Sequence, residues 1–289
     1  MTVTSLDVPA SFRSSAVRPG GLALLTEAAG EVWSRRRLIR YLVAADLKKK
    51  GADTVLGNLW WVIDPLLQMV VYVILVSFIF QRSQPDYPLF LFAALLPWKW
   101  FTTSVTDSIG SITSQDRLIR QVQFPKIVLP VAAVGAGIVN FTFGLIPLGA
   151  LLLLFYHDRA SVLIVLLPVM AAVQLVFTLA VSFVVAAANV FFRDVNNLAR
   201  HLLQLWFYLS PVLYSAKQAQ DVTTEHHTVG TLIALNPFYT LMESYRDVIY
   251  DDRLPAWTAL GVLLAVSLVL LAVATLIFKR LEPSFAKVL

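Results

Sequence analysis

The chain has no cysteine, which excludes disulfides and thiolate metal sites without identifying a compartment. Charge is scarce too: Asp, Glu, Lys and Arg make up 14% of the 289 residues, against 58% hydrophobic residues. With a mean hydropathy of +0.72, such a chain is not an ordinary globular domain. No Gly-x-x-x-x-Gly-Lys-Ser/Thr occurs, so no P-loop cradles a nucleotide's phosphates. No His-Glu-x-x-His occurs either, and His226–His227 beside Glu225 is a weak metal signal in a polar loop, so no metal site is predicted. A membrane-embedded hydrolase or transferase gathers carboxylates, histidines or a nucleophile at membrane depth, and Asp64 alone does not supply that; no catalytic residue is predicted. Repeat symmetry and a relay of buried acids, the marks of a secondary transporter, are also missing. The apolar stretch Gly20–Leu25 is too short for a cleavable signal, so the N-terminus is expected to stay cytoplasmic. A net charge of +5 does not imply nucleic acid, because the basic residues sit between apolar runs and form no stripe on a soluble domain.

What is present centres on Ser34–Phe80. Leu59–Phe80 is a 22-residue run charged only at Asp64, and about 20 apolar residues cross a hydrocarbon core of about 30 Å. A helix is the open-ended structure that satisfies its own backbone there. Before it, Leu38, Leu42 and Ala45 recur at helical spacing, with Arg35, Arg36, Arg37, Arg40 and Lys48–Lys50 supplying charge. This pattern predicts an amphipathic helix along the headgroups, either a positive anchor or a docking surface for a partner.

Taken in order, residues 1–30 read as a flexible cytoplasmic tail. Spans are predicted at about 59–80, 89–112, 128–156, 161–190, 198–214 and 257–278, giving an all-α polytopic membrane protein with six transmembrane helices. The second carries Pro97, Trp98, Lys99 and Trp100; an intramembrane lysine either has a function or snorkels to the interface beside its tryptophans. Ser114–Lys126 reads as a short helix stopped before Pro125, with Leu118, Ile119 and Val122 on one face. The fourth run is longer than the hydrocarbon needs, with Pro168 an available kink. In the polar stretch before the last span, the patch Val229–Leu235 is too short to cross. Asn236 caps a short amphipathic helix begun by Pro237, whose Phe238, Leu241, Met242, Tyr245, Val248 and Ile249 share one face. Such a helix lies in or dips into the interface. Lys279–Leu289 reads as a short basic tail. Placing the N-terminus inside puts seventeen Lys and Arg on that side against six on the other, so both termini are expected to be cytoplasmic and the polar stretch external.

Five segments then resemble the ABC-2 type permease subunits that export bacterial cell-surface polysaccharides such as lipopolysaccharide O-antigen and wall teichoic acid. LVAADLKKKGADTVLGNLWWVIDPLL resembles the family's basic segment running through Leu-Gly and Trp to Pro-Leu, and LLPWKWF its Leu-x-Pro-Trp-x-Phe stretch. QVQFPKIVLP is similar to Phe-Pro-Arg/Lys-x-x-x-Pro, FFRDVNNLARHLLQLWFYLSPVLYS to Phe-Phe-Arg-Asp-Val followed by Ser/Thr-Pro-Val-x-Tyr, and LNPFYTLMESYRDVIY to Asn-Pro-x-x-x-x-x-Glu-x-Tyr-Arg. They occur in family order over about residues 35–289, so 31–289 is read as one transmembrane domain. The chain departs from the pattern at Ala45, where Arg often precedes Asp, at Asp64, an unusual acid before Pro65, and at Lys99.

The resemblance implies a homodimer in the bacterial inner membrane, bound to two copies of a separate ABC ATPase that holds ATP and Mg, moving a lipid-linked glycan. This chain itself would hold no cofactor. It further implies that Arg36, Arg40, Arg117, Arg120, Arg193 and Asp194 contact the ATPase, and that Asn236, Pro237, Glu243 and Arg246 belong to an external gate. Trp60, Trp61, Trp98, Lys99, Trp100 and Tyr208 are candidates to line the substrate path, since flat ring faces pack on sugar C–H surfaces; tryptophan and tyrosine also mark membrane interfaces without further function. The competing readings are an ABC-2 drug or lipid exporter, a membrane-embedded glycan-processing enzyme, and an ATP-independent channel or scaffold.

Overall fold

The computed structural model describes residues 20–52, 54–81, 84–215, 218 and 236–289. Among these no strand occurs, and ten α-helices form a bundle: α1 (Gly21–Ser34), α2 (Arg36–Gly51), α3 (Trp60–Val73), α4 (Tyr87–Gly110), α5 (Asp116–Gln121), α6 (Val128–Leu154), α7 (Leu167–Phe191), α8 (Val195–Leu209), α9 (Pro237–Ile249) and α10 (Trp257–Val288). The histidine pair at 226–227 and the patch at 229–235 lie outside the described residues, as does the tail before residue 20.

Among the described residues four segments are long and apolar enough to cross a membrane: Gly57–Ile79, Val128–Leu154, Val162–Phe191 and Trp257–Val288. Helix α4, at 24 residues, is about 36 Å long and also has the reach to span. Its composition differs because it is the buried centre of the bundle, packed on α3, α6, α7 and α9. Close approach of α4 to α6 uses glycine: a Cβ at Gly137 would meet the Trp100 ring edge at 3.0 Å and collide with Ser104, and one at Gly144 would meet Leu96 at 2.7 Å. Buried amides from α7 tie that helix to α4, Gln174 donating to the Pro97 carbonyl at 2.7 Å and Asn189 to that of Ile109 at 2.9 Å.

Several expectations need correction. Residues 21–30, expected within the tail, belong instead to α1, which packs on α10 and α2. Pro168 does not kink a long helix; it sits in the first turn of α7, after a tight 3-10 lead-in over Val162–Leu166, where its missing N–H costs nothing. The basic tail is instead a continuation of α10, whose Lys279, Glu282 and Phe285 are buried against α1 and α7. Helix α8 has 15 residues and is about 22 Å long, short of the expected fifth span. Ser210 turns extended before Pro211, since the proline ring disfavours helical geometry at the residue before it.

The loops gather at two ends. At one end, α1, the 124–127 segment and the end of α10 meet: Lys279 lies 2.8 Å from Glu31 and 2.9 Å from Glu282, and Glu282 accepts the Lys126 backbone N–H. Burial pushes the Glu31 carboxyl up despite Lys279. At the other end, Arg159 holds Asp86 through Nε and Nη2 at 3.1 and 3.0 Å, Tyr250 donates to the Pro85 carbonyl at 2.7 Å, and Ser161 bonds Asp252. Asp86 and Asp252 both have φ near +50°, a conformation that aspartate tolerates better than most residues.

Candidate functional site

A cavity of about 380 Å³ opens between α3, α4 and α6. Its composition follows from α3 starting late: α2 ends at Gly51, and the turn through Gly57, whose φ is +51°, brings the Trp60–Trp61 pair against α6. Trp61 lies 5.1 Å from Phe143, ring to ring. Trp100 is 3% exposed and stacks on Phe141 at 5.0 Å, completing the inner wall. Lys99 and Asp64 also line the cavity and form an ion pair. Lys99 therefore does not stand alone: the two departures from the family pattern noted in the sequence are partners.

Lys50 at the end of α2 is a third charge on this cavity, held by Asp107 at 2.6 Å and Asp46 at 2.8 Å. Burial works to lower its ammonium, but Asp107 and Asp46 outweigh it and hold it above its ordinary value. Two polar atoms of the lining, Trp100 Nε1 and Asn140 Oδ1, are buried with no hydrogen-bond partner among the described residues.

Four of the six path candidates, Trp60, Trp61, Lys99 and Trp100, thus meet at one cavity. The other two do not. Trp98 is 5% exposed and turned into an aromatic core, 4.8 Å from Phe238 and 5.6 Å from Phe207. On a helix, residues two apart point to nearly opposite sides, so Trp98 and Trp100 cannot share a surface. Tyr208 is exposed on α8, away from the cavity.

The gate candidates form a second site with a different character. Helix α9 buries the whole predicted face, but also Ser244 and Arg246, so it is inserted among the helices and does not lie along an interface. Asn236 caps α9 by accepting from Phe238 N–H at 3.0 Å, accepts from Trp206 Nε1 at 2.9 Å, and donates to the Leu209 carbonyl at 3.2 Å. Arg246, 1% exposed, donates to the carbonyls of Val212 at 2.7 Å and Tyr214 at 3.2 Å and to Glu243 at 3.1 Å, and its guanidinium lies 3.7 Å from the Phe90 ring centre. Tyr87 adds a bond to the Leu213 carbonyl at 3.0 Å. These residues satisfy the non-helical backbone that follows α8. Such backbone is tolerated at membrane depth only where protein supplies partners. Burial lowers the Arg246 guanidinium to about 10, so it stays charged at neutral pH.

The coupling candidates lie near the end where α1 and α10 meet. Arg36, Arg40, Arg117, Arg193 and Asp194 are exposed there, Arg36 also lying over the Trp33 ring at 5.3 Å. Arg120 is placed on α5 with Arg117. Sequence reading missed Gln174, Asn189 and the Lys279 cluster. Polar side chains inside the apolar run 167–191, and the spacings Glu27–Glu31 and Lys279–Glu282, were the available signals.

Comparison with known proteins bears on this architecture directly. The chain is 39% identical to the O-antigen export system permease protein RfbA of Myxococcus xanthus over 257 residues, covering 89% of this chain and 97% of that one. It is 30% identical over 253 residues to a protein of the same name from Klebsiella pneumoniae, covering 87% and 95% respectively. Residues 37–250, which run from the basic helix through α9, match the family model described as ABC-2 type transporter, and the chain belongs to that family.

Proposed function

We propose that the chain is the membrane permease subunit of an ATP-driven exporter that moves a lipid-linked surface polysaccharide across the bacterial inner membrane. The observation that carries this is the likeness to the Myxococcus permease along 97% of that protein's length. The bundle adds physical support. Its aromatic cavity with an ion pair suits a sugar better than a purely apolar drug.

In this reading the exporter is a homodimer with two copies of a separate ATPase, which binds ATP and Mg, and both termini face the cytoplasm. Exposed Arg36, Arg40, Arg117 and Arg193 would meet that ATPase. Helix α1 would carry its motion inward, since Glu31 and Lys279 tie it to α10. Trp60, Trp61, Lys99 and Trp100 would touch the glycan, while Asn236 and Arg246 hold the outer end of the bundle in shape.

Deletion of the gene tests the proposal. The expected result is loss of surface polysaccharide with lipid-linked glycan accumulating inside, restored by the native gene, and co-purification of an ATPase with the tagged permease. Unchanged surface glycan together with altered drug or lipid export would overturn it in favour of the related exporter class.

A further inference from the structure

We propose that Lys50 is the plug of an inner gate, dividing one groove between α4 and α6 into two chambers and opening it from the cytoplasmic end of the bundle when α2 moves; what passes, and which end is cytoplasmic, rest on the export reading above. The first observation is that the groove is continuous. Besides the 380 Å³ cavity, a second of about 220 Å³ lies between α2, α4 and α6. Along α4 the two are lined in turn by Leu96, Trp100, Thr103, Asp107 and Ser111, and along α6, read backwards, by Gly144, Asn140, Gly137, Ala133 and Leu129. Both series step by four, three, four and four residues, the spacing of one helix face, so a single groove about 22 Å long runs between the two helices. Thr103 and Gly137 belong to the first chamber, Asp107 and Ala133 to the second, and the two linings share no residue. The division falls within one helical turn.

The second observation is what stands at that turn. Lys50 lines the first chamber, while the two carboxylates that hold it, Asp107 at 2.6 Å and Asp46 at 2.8 Å, line the second. The cover of the groove changes at the same level: α3 closes the first chamber through Trp60, Trp61 and Asp64, and α2 closes the second through Leu42, Ala45 and Lys49. Lys50 itself sits in the last turn of α2. That helix packs chiefly on α6, with Val43 against Gly135, and toward α4 it has the second chamber in between. The ion pair with Asp107 is therefore a strut across a gap.

The third is the strength of the closure. The side chains of Lys50, Asp46 and Asp107 are 29%, 37% and 27% exposed. Parting a fully buried pair leaves charges that nothing compensates, whereas a pair in open water holds little. This cluster lies between those limits, so it can shut the groove and still release it. The second chamber ends among Ser111, Ser114 and Gln115, next to the end of the bundle where the 124–127 segment meets α1 and α10. Those hydroxyl and amide groups suit a polar chain better than an acyl tail. Arg36 and Arg40, which would meet the ATPase, share α2 with the plug, so a displacement of that helix is a displacement of Lys50.

The chain has no cysteine, so one introduced thiol reports one position. The test uses the permease with its ATPase in inside-out membrane vesicles, with membrane-impermeant anionic and cationic methanethiosulfonates added to the exposed cytoplasmic face. Ser111→Cys, in the second chamber, should label readily whether or not Lys50 is changed. Thr103→Cys, in the first, should label slowly beside native Lys50 and about tenfold faster with both reagents in Lys50→Ala, while Lys50→Arg restores the slow rate. Acceleration of the cationic reagent alone would reflect the removed charge and not an opening, and would overturn the gate. Asp107→Ala frees Lys50 from α4 without altering it and should open the same route, so the proposal remains testable if Lys50→Ala misfolds. ATP added to the native complex should raise the Thr103→Cys rate toward that of Lys50→Ala. A Thr103→Cys rate indifferent to Lys50 or to ATP, or a Ser111→Cys that stays unreactive, would each overturn it. The two proposals fail separately. Normal surface polysaccharide after gene deletion removes the export reading, whereas deletion that abolishes export, with Thr103→Cys labelling that ignores Lys50, removes only the gate.

Discussion

Replacing Arg246 by methionine keeps most of the side chain's apolar length and removes every donor. The carbonyls of Val212 and Tyr214 then lose their partners at 2.7 and 3.2 Å, and the weaker bond to Phe90 O at 3.4 Å goes as well. Stranding a buried acceptor costs about 1–3 kcal/mol, so the two shorter bonds alone amount to roughly 2–6 kcal/mol. The cation over Phe90 adds up to about 2 kcal/mol in a desolvated setting. Glu243 offsets little of this, because its side chain is 27% exposed and can be hydrated when Arg246 is gone. A loss of about 3–5 kcal/mol, the usual size for removing one side of a buried charge interaction, corresponds to a fall in melting temperature of roughly 6–20 °C. Lysine at the same position keeps the charge but not the planar fork, so Arg246→Lys should fall between native and Arg246→Met. Detergent-solubilised protein, heated in steps and followed by fluorescence-detected size exclusion, measures this. An Arg246→Met variant melting within about 2 °C of native would refute the stapling role.

Asp64→Asn should lower insertion or stability more than the double replacement Asp64→Asn with Lys99→Met, because only the single variant leaves the part-buried Lys99 ammonium without its partner; a double-mutant cycle on melting temperature checks the order. Burial raises the Asp247 carboxyl to about 6, outweighing Arg253. An ordinary carboxylate titrates near 4, so the native state binds more protons between about pH 4 and 6, and this group's contribution falls as pH rises through that window and stays lost above it. Asp247→Asn should remove that slope in melting temperature against pH, and an unchanged slope would refute the assignment. Gly137→Ala should be more damaging than Gly144→Ala, since the first presses on Ser104 and the Trp100 ring edge while the second meets only the end of Leu96; thermal melts of the two variants compare them. Arg117→Glu with Arg120→Glu should leave folding intact and weaken ATPase co-purification, which equal folding and equal recovery of the ATPase would contradict.

The long crossings were legible because apolar runs and turn residues are local properties. So was α9: Asn236 followed by Pro237 and the spacing of its apolar residues named the cap and the buried face. Its depth was not legible, because the same pattern serves a helix on an interface and one inserted in a bundle; Arg246, read as part of an external gate, is the largest of the fully buried side chains among the described residues. Asp64 and Lys99 each looked anomalous alone, and nothing in a 35-residue separation announces a pair across two helices. Trp98 and Trp100 show the opposite case. Helical geometry alone forbade one surface from using both, and the structure fixes which of them lines the cavity. Continuation of α10 beyond Phe278 was hidden because Lys279 and Arg280 resemble a membrane-edge stop, whereas Lys279 is buried among carboxylates from α1 and α10.

The Arg246 staple also imposes an order on biogenesis. The backbone carbonyls at Val212 and Tyr214 leave the ribosome first, and the guanidinium that satisfies them follows 34 and 32 residues later. At roughly 5–20 residues per second that interval lasts about 2–7 s, during which the segment after α8 cannot settle into hydrocarbon without stranding polar backbone. The segment after α8 and helix α9 must therefore mature as one unit, with α8 waiting at the membrane edge, or in the insertion machinery, until α9 has been synthesised.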